Sequence, residues 1–84
     1  MLKAGTLIRR IDTPRDGISY SPTTGEQTEQ DLTSGCKLLV VQYPNMKERV
    51  RGTCLALTSD GLLISFYYVA ALWIELSEDT ENTQ

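Results

Sequence analysis

The chain has 84 residues, of which 40% are hydrophobic and 23% are charged, and its formal net charge is −3. This length and composition are typical of one small globular domain. The sequence contains no His and no phosphate-binding glycine loop, which excludes His-based acid–base catalysis, His metal ligation and the common nucleotide-binding motifs.

The N-terminal segment predicts the first strand. Residues Ala4–Ile11 are rich in apolar and β-branched side chains, with Leu7 and Ile11 on one face and Ile8 on the other. The residues up to Pro14 lack the apolar core of a secretory signal peptide. We therefore expect a cytoplasmic protein, a compartment in which thiols stay reduced.

Residues 12–35 form a long polar stretch after this strand. An unstructured loop of this length is unusual inside a small domain, so the stretch predicts a hairpin arm. The two limbs are Ile18–Ser21 and Glu26–Leu32, and the turn between them contains Pro22 and Gly25, which suit a reversal of chain direction.

Two strands are predicted in the middle of the chain. Residues Cys36–Tyr43 are β-rich and bounded by Gly35 and Pro44, and they are apolar on both faces. Residues Arg49–Thr58 are expected to form the antiparallel partner of this strand, joined to it through a short connection.

The two cysteines lie in these predicted strands. If Tyr43 pairs with Arg49, then Cys36 and Cys54 are diagonal neighbours with Cα atoms about 7–8 Å apart. A disulfide bond prefers a Cα separation of about 5.5–6 Å, so we predict two free thiols. Two cysteines without a histidine also do not make a zinc site, which needs about four ligands.

The most apolar part of the chain follows Thr58. An Asp-Gly pair, Asp60 and Gly61, favours a tight primed turn, because both central residues adopt positive φ at low cost. We therefore expect a hairpin of Thr53–Thr58 and Leu62–Phe66. The apolar run from 62 to 74 spans 13 residues, which is too short for a membrane-spanning helix of about 20 residues.

Residues 66–76 fit either a helix or a turn followed by a strand. A helix would place Phe66, Val69, Ala70 and Trp73 on one face, but it has no N-cap near Phe66 and no C-terminal Gly. We predict a single 3₁₀ turn and a last strand over Trp73–Leu76. Residues 77–84 are polar and acidic, so we expect a domain over 1–76 and a disordered acidic tail.

The order of these elements resembles that of the SH3-like small β-barrel. The shared features are five short strands, a long arm after the first strand, a tight hairpin before the fourth and one helical turn before the fifth. The segment "YYVAAL" is similar to the "NYVxxL" ending of SH3 domains, with Tyr68 and Val69 in place. The resemblance implies an all-β fold with a closed, five-stranded barrel.

The chain departs from that family in its peptide-binding groove. The segment "TLIRRID" does not supply the aromatic "ALYDY" run, and "ERVRG" stands where a Trp pair opens the third strand. Ser65 stands where the ligand-contacting Pro would be. The groove that binds Pro-rich peptides in SH3 domains is therefore mostly absent.

The second strand predicts a surface for a partner. One face of residues 38–41 fills the core, and the other needs cover, because a contiguous exposed apolar patch is unusual on a soluble monomer. Sharply bent strands that bury both faces are the alternative explanation. The candidate partner-binding residues are Leu39, Val41, Tyr43, Leu55, Leu57 and, in the arm, Tyr20. Leu63 extends this apolar patch.

Basic residues around the same strands suggest nucleic acid as an alternative ligand. They are Lys37, Lys47, Arg49 and Arg51. Small barrels hold single strands on a basic surface with interleaved aromatic side chains. However, residues 1–74 carry eight basic and seven acidic residues, a net charge of only +1, whereas a nucleic-acid-binding domain is usually strongly basic.

These observations favour a non-catalytic protein-interaction module that acts as a small regulator or as a subunit of a larger complex. We expect no enzyme activity, no cofactor and no membrane association. The expected partner is another protein or a second copy of the chain.

Overall fold

The structure, a computed structural model, describes residues 2–45 and 53–76. Within these ranges the chain forms a single antiparallel sheet whose strands are β1 Leu7–Arg10, β2 Lys37–Asn45, β3 Thr53–Thr58, β4 Leu63–Phe66 and β5 Trp73–Leu76. The spatial order of the strands is β4-β3-β2-β1-β5. The predicted all-β fold is confirmed. The predicted strand residues 49–52 and the predicted acidic tail, 77–84, lie outside the described residues.

The sheet is open, which corrects the prediction of a closed cylinder. β4 and β5 lie at its two ends, and the arm occupies the edge of β4. The Tyr20 amide donates to the Ser65 carbonyl at 2.7 Å, and the Ser65 amide donates to the Tyr20 carbonyl at 2.9 Å. Because each residue has one backbone donor and one carbonyl, Ser65 has no free amide for a closing strand.

The arm is the predicted hairpin, held by a few backbone pairs. The Gly17 amide donates to the Leu32 carbonyl at 2.9 Å, and the Leu32 amide donates back at 3.1 Å. Nearer the tip, the Ser21 amide donates to the Glu26 carbonyl at 2.8 Å. Leu32 is buried in the main core, so the arm packs against the sheet.

We expect Gly17→Ala to lower the free energy of unfolding by about 1–3 kcal/mol, the usual cost of overpacking. A Cβ atom at this position would lie 2.9 Å from Arg10 Nη1 and 3.0 Å from Leu32 Cβ. Urea denaturation measures the change, with Asp31→Ala, at an exposed arm position, as the control. Equal urea midpoints for the two variants would contradict the close packing of the arm.

The pairing of β2 with β3 differs from the predicted register. Leu38 lies opposite Thr58 and Val40 opposite Ala56, whereas pairing of Tyr43 with Arg49 would have placed Leu38 opposite Cys54. β2 continues to Asn45, and its ladder shifts twice between Val40 and Asn45. The prediction failed because it assumed an uninterrupted ladder and an early turn.

The cysteines are therefore not diagonal neighbours. Leu38 opposite Thr58 places Cys36 beyond the end of β3, while Cys54 lies at the other end of that strand. Both are free thiols in the structure.

The hairpin of β3 and β4 is confirmed, but its turn is not of the primed type. Gly61 has a φ of +86°, and no residue other than glycine has positive φ in the described ranges. The Thr58 amide donates to the Leu62 carbonyl at 2.9 Å, and the Gly61 amide donates to the Thr58 carbonyl at 2.9 Å. The loop thus has three residues and reverses through one left-handed glycine, the second common hairpin geometry.

The choice between a helix and a turn in residues 66–76 is settled in favour of the turn. Ala70–Leu72 form one 3₁₀ turn between the extended residues Val69 and Trp73, and β5 has the predicted bounds. Among the described residues no helix is long and apolar enough to cross a membrane.

The core lies on the inner face of the sheet. Every strand contributes to it, and Phe66 is its largest fully buried side chain. The Phe66 ring centroid lies 5.2 Å from that of Trp73, so β4 and β5 are joined through packed aromatic rings. The other core residues from the strands are Ile8, Leu38, Val40, Cys54, Ala56 and Ile64.

Candidate functional site

A row of leucines crosses the outer face of the sheet, with one leucine from each strand. In spatial order, each leucine is the direct register partner of the next: Leu63, Leu57, Leu39, Leu7 and Leu76. Residues directly opposite each other in antiparallel strands project to the same face. We call this row the leucine band.

Strand alternation explains why the band faces outward. Leu39 lies between Leu38 and Val40, which both point into the core, and successive side chains of a strand point to opposite faces. Leu39 is 40% exposed and Leu63 is 42% exposed, while the other three band leucines are half-buried. The sequence therefore builds two apolar faces, and the core uses only one of them.

Beyond Leu39, two more apolar side chains of β2 are exposed. Val41 is exposed and falls in the register shift between Val40 and Gln42. Tyr43 is also exposed, but its ring packs edge-on against Tyr68, which lies against the core, with the centroids 5.7 Å apart. Tyr43 follows Gln42, the register partner of Leu55, so it faces away from the band.

A cationic row borders the band. Arg9 pairs with Lys37 on one side and with Ile74 on the other, and all three lie two residues along their strands from the band leucines. Lys37 is exposed and Arg9 is half-buried. This border carries two positive charges beside an apolar stripe.

The predicted partner-binding residues do not all share this surface. Leu39, Val41 and Tyr43 are exposed and Leu57 is half-buried, but Leu55 is only 6% exposed. Tyr20 belongs to the arm, where its ring packs edge-on against Tyr67. The sequence did not predict Leu7 and Leu76 as members of this surface. The pairing of β1 with β2 and with β5 aligns both of them with Leu39.

The structure describes only part of the alternative nucleic-acid site. Lys37 is exposed beside Arg9, and together they provide a small cationic patch. The other three candidates, Lys47, Arg49 and Arg51, lie outside the described residues.

Neither thiol has the properties of a nucleophile. Burial raises the pKa of Cys54 to about 12. Burial also raises the pKa of Cys36, with the Arg10 guanidinium acting against this shift and the Asp16 carboxylate adding to it. Because the thiolate is the reactive form, both cysteines stay protonated and weakly reactive near neutral pH.

The described ranges contain no group of three or more Cys, Asp or Glu side chains that could hold a metal ion. Comparison with known proteins adds no relationship: no protein-family model, no curated protein and no solved structure matches the chain.

Proposed function

We propose that the chain is a non-catalytic protein-interaction module and that the leucine band is its binding surface. The register that aligns one leucine from every strand carries this proposal. Apolar burial is the main favourable term in most protein association, and covering one Leu side chain completely contributes about 1.5–3 kcal/mol. The band offers several partly exposed leucines in one line.

The positive charges beside the leucine band indicate which kind of partner surface fits it. Arg9 and Lys37 lie beside the band, so the complementary surface is an apolar stripe flanked by Asp or Glu. Two copies of the chain docked through this face would bring like charges onto one interface, which disfavours self-association. Nucleic acid would neutralise the two cations but would leave the leucines uncovered.

We infer that the fold is a variant of the SH3-like barrel in which the arm takes the place of strand-to-strand closure. The order of strands, the arm after β1 and the 3₁₀ turn before β5 support this relationship. In such a variant the outer face of the sheet, not the groove for Pro-rich peptides, serves the partner. A module of this size acts as a small regulator or as a subunit of a larger cytoplasmic complex.

We expect Leu63→Asp to raise the dissociation constant of the partner at least about tenfold, because it places a charge in the apolar contact. Leu62→Asp is the matched control, since Leu62 is similarly exposed at 47% but precedes the band. The partner is captured from host cells with the tagged wild-type chain, identified, purified and titrated calorimetrically against both variants.

Three further observations decide the proposal. The wild-type affinity is expected to fall as salt is raised, because the cationic border is screened. Equal affinities of the partner for wild type and for folded Leu39→Asp and Leu63→Asp would contradict the assignment of the leucine band. Self-association of the wild type that Leu39→Asp abolishes would contradict the proposed acidic partner.

A further inference from the structure

A second surface feature, the arm cleft, lies away from the leucine band. It opens between the arm and the segment that leads into β5, and it has a volume of about 230 Å³. Its lining includes Arg10, Asp16, Ile18, Tyr20, Tyr67 and Leu72. Drug-sized ligands occupy pockets of roughly 300–1,000 Å³, so this cleft suits a group the size of a single amino acid.

The guanidinium of Arg10 is the most unusual group in the cleft. Arg10 is only 6% exposed, and its Nη2 donates to the Arg15 carbonyl at 3.2 Å. Its Nε has no hydrogen-bond partner within residues 2–45 and 53–76. Buried donors almost always have an acceptor, and a buried charge is normally paired. Nε is itself buried, but Arg10 lines the cleft and its Nη1 lies close to Gly17, another lining residue, so the guanidinium is placed to meet an anionic group there through its Nη atoms.

The ring on which Arg10 stacks also carries an unpartnered donor. The Arg10 guanidinium carbon is 5.4 Å from the centroid of the Trp73 ring, and Trp73 Nε1 is buried without a hydrogen-bond partner in the described part of the chain. The stacking holds the guanidinium in place. It does not satisfy Nε, because a ring face offers no oxygen lone pair.

The other residues that line the cleft indicate which other chemical groups the ligand carries. Asp16 is an exposed carboxylate that can accept hydrogen bonds from an ammonium or an amide N–H. Ile18 and Tyr67 are exposed on the same cleft and present apolar surface. A cation, a carboxylate and apolar side chains around one small cleft match a molecule that carries a carboxylate, an N–H group and an apolar side chain.

We propose that the arm cleft binds an apolar α-amino acid, either free or as the last residue of a protein chain. Its carboxylate accepts hydrogen bonds from Arg10, its amino or amide N–H donates to Asp16, and its side chain packs between Ile18 and Tyr67. This site is independent of the leucine band and of any partner bound there.

Fluorescence of Trp73, the one tryptophan of the chain, reports on the cleft because Arg10 stacks on its ring. The purified chain is titrated with leucine, N-acetyl-leucine, a tetrapeptide ending in leucine, leucinamide and acetate. We expect a saturable change with at least one leucine carboxylate and none with leucinamide or acetate. Tighter binding of free leucine identifies a free amino acid as the ligand, and tighter binding of the acetylated forms identifies a chain terminus.

Substitutions of residues inside and outside the arm cleft test whether leucine binds there. Ile18→Ala is expected to weaken it about threefold or more, the effect of losing apolar contact with the ligand. Ile74→Ala is the matched control, since Ile74 is an exposed isoleucine on β5 outside the cleft. Arg10→Gln is expected to abolish binding. Asp16→Asn, at an exposed position, is expected to weaken the binding of free leucine more than that of N-acetyl-leucine.

Several results would overturn the assignment. They are no saturable change with any leucine carboxylate, a response to leucinamide or to acetate as strong as that to the best leucine carboxylate, and equal effects of Ile18→Ala and Ile74→Ala. If Arg10→Gln does not fold, the comparison of Ile18→Ala with Ile74→Ala decides the outcome alone.

Discussion

Phe66→Ala is expected to lower the free energy of unfolding by about 3–5 kcal/mol, the usual cost of deleting a buried aromatic ring. Phe66 is 1% exposed and is the largest fully buried side chain of the core. Its ring contacts that of Trp73 from β5, so the truncation leaves a cavity between the two ends of the sheet. Small domains have total stabilities of only about 5–15 kcal/mol, and the variant should therefore be partly unfolded at 37 °C.

The neighbouring residue provides the control for this substitution. Tyr67 follows Phe66 directly but is 57% exposed, so Tyr67→Ala should lower the free energy of unfolding by no more than about 1.5 kcal/mol, the usual contribution of an edge-on ring pair such as that with Tyr20. Urea denaturation followed by Trp73 fluorescence measures both variants. Similar losses for Phe66→Ala and Tyr67→Ala would show that the inner face of the sheet is not the core.

The second large effect is a loss of stability at high pH that depends on Cys54. The ordinary thiol pKa is 9.0, and burial raises that of Cys54 to about 12 in the folded chain. Below pH 9 the thiol is protonated in both the folded and the unfolded chain, so its contribution to the free energy of unfolding is fully present. Between these two values the unfolded chain releases the proton and the folded chain keeps it, which favours unfolding by about 2–4 kcal/mol at the upper end.

Cys54→Ala isolates this contribution. Other groups with raised pKa values, Cys36 and Tyr68, act in the same direction in the wild type and in the variant. The difference between the two stability profiles therefore reports on Cys54. We expect the variant to be less stable near neutral pH, because a buried side chain is truncated, and to lose less stability as the pH rises. Parallel profiles would mean that the Cys54 thiol is not desolvated.

Local signals in the sequence predicted the elements well, and long-range geometry limited the rest. The 3₁₀ turn and β5 followed from missing helix caps, and the hairpin of β3 and β4 followed from Gly61. The turn type was missed because the Asp-Gly pair suits both a two-residue and a three-residue loop, and only pairing of Thr58 with Leu62 distinguishes them. The failure of the sheet to close was missed because the pairing of Tyr20 with Ser65, which occupies the edge of β4, joins distant segments of the chain.

The candidate surface was also predicted only in part, because the register between strands is a long-range property of the fold. Leu39 and Val41 were identified because β2 is apolar on both faces, which one strand shows by itself. Leu7 and Leu76 join this surface only through the register of the strands. The local sequence around a leucine does not indicate which residue of the neighbouring strand lies opposite it. Leu55 was included on alternation alone and is buried.

The most direct test of the account is a titration of methyl-labelled protein with the identified partner, followed by NMR. We expect the methyl signals of the leucine band to shift or broaden together, while those of Leu38 in the core and Leu62 outside the band stay in place. A partner that binds and leaves the band signals unchanged would contradict the assignment of this surface.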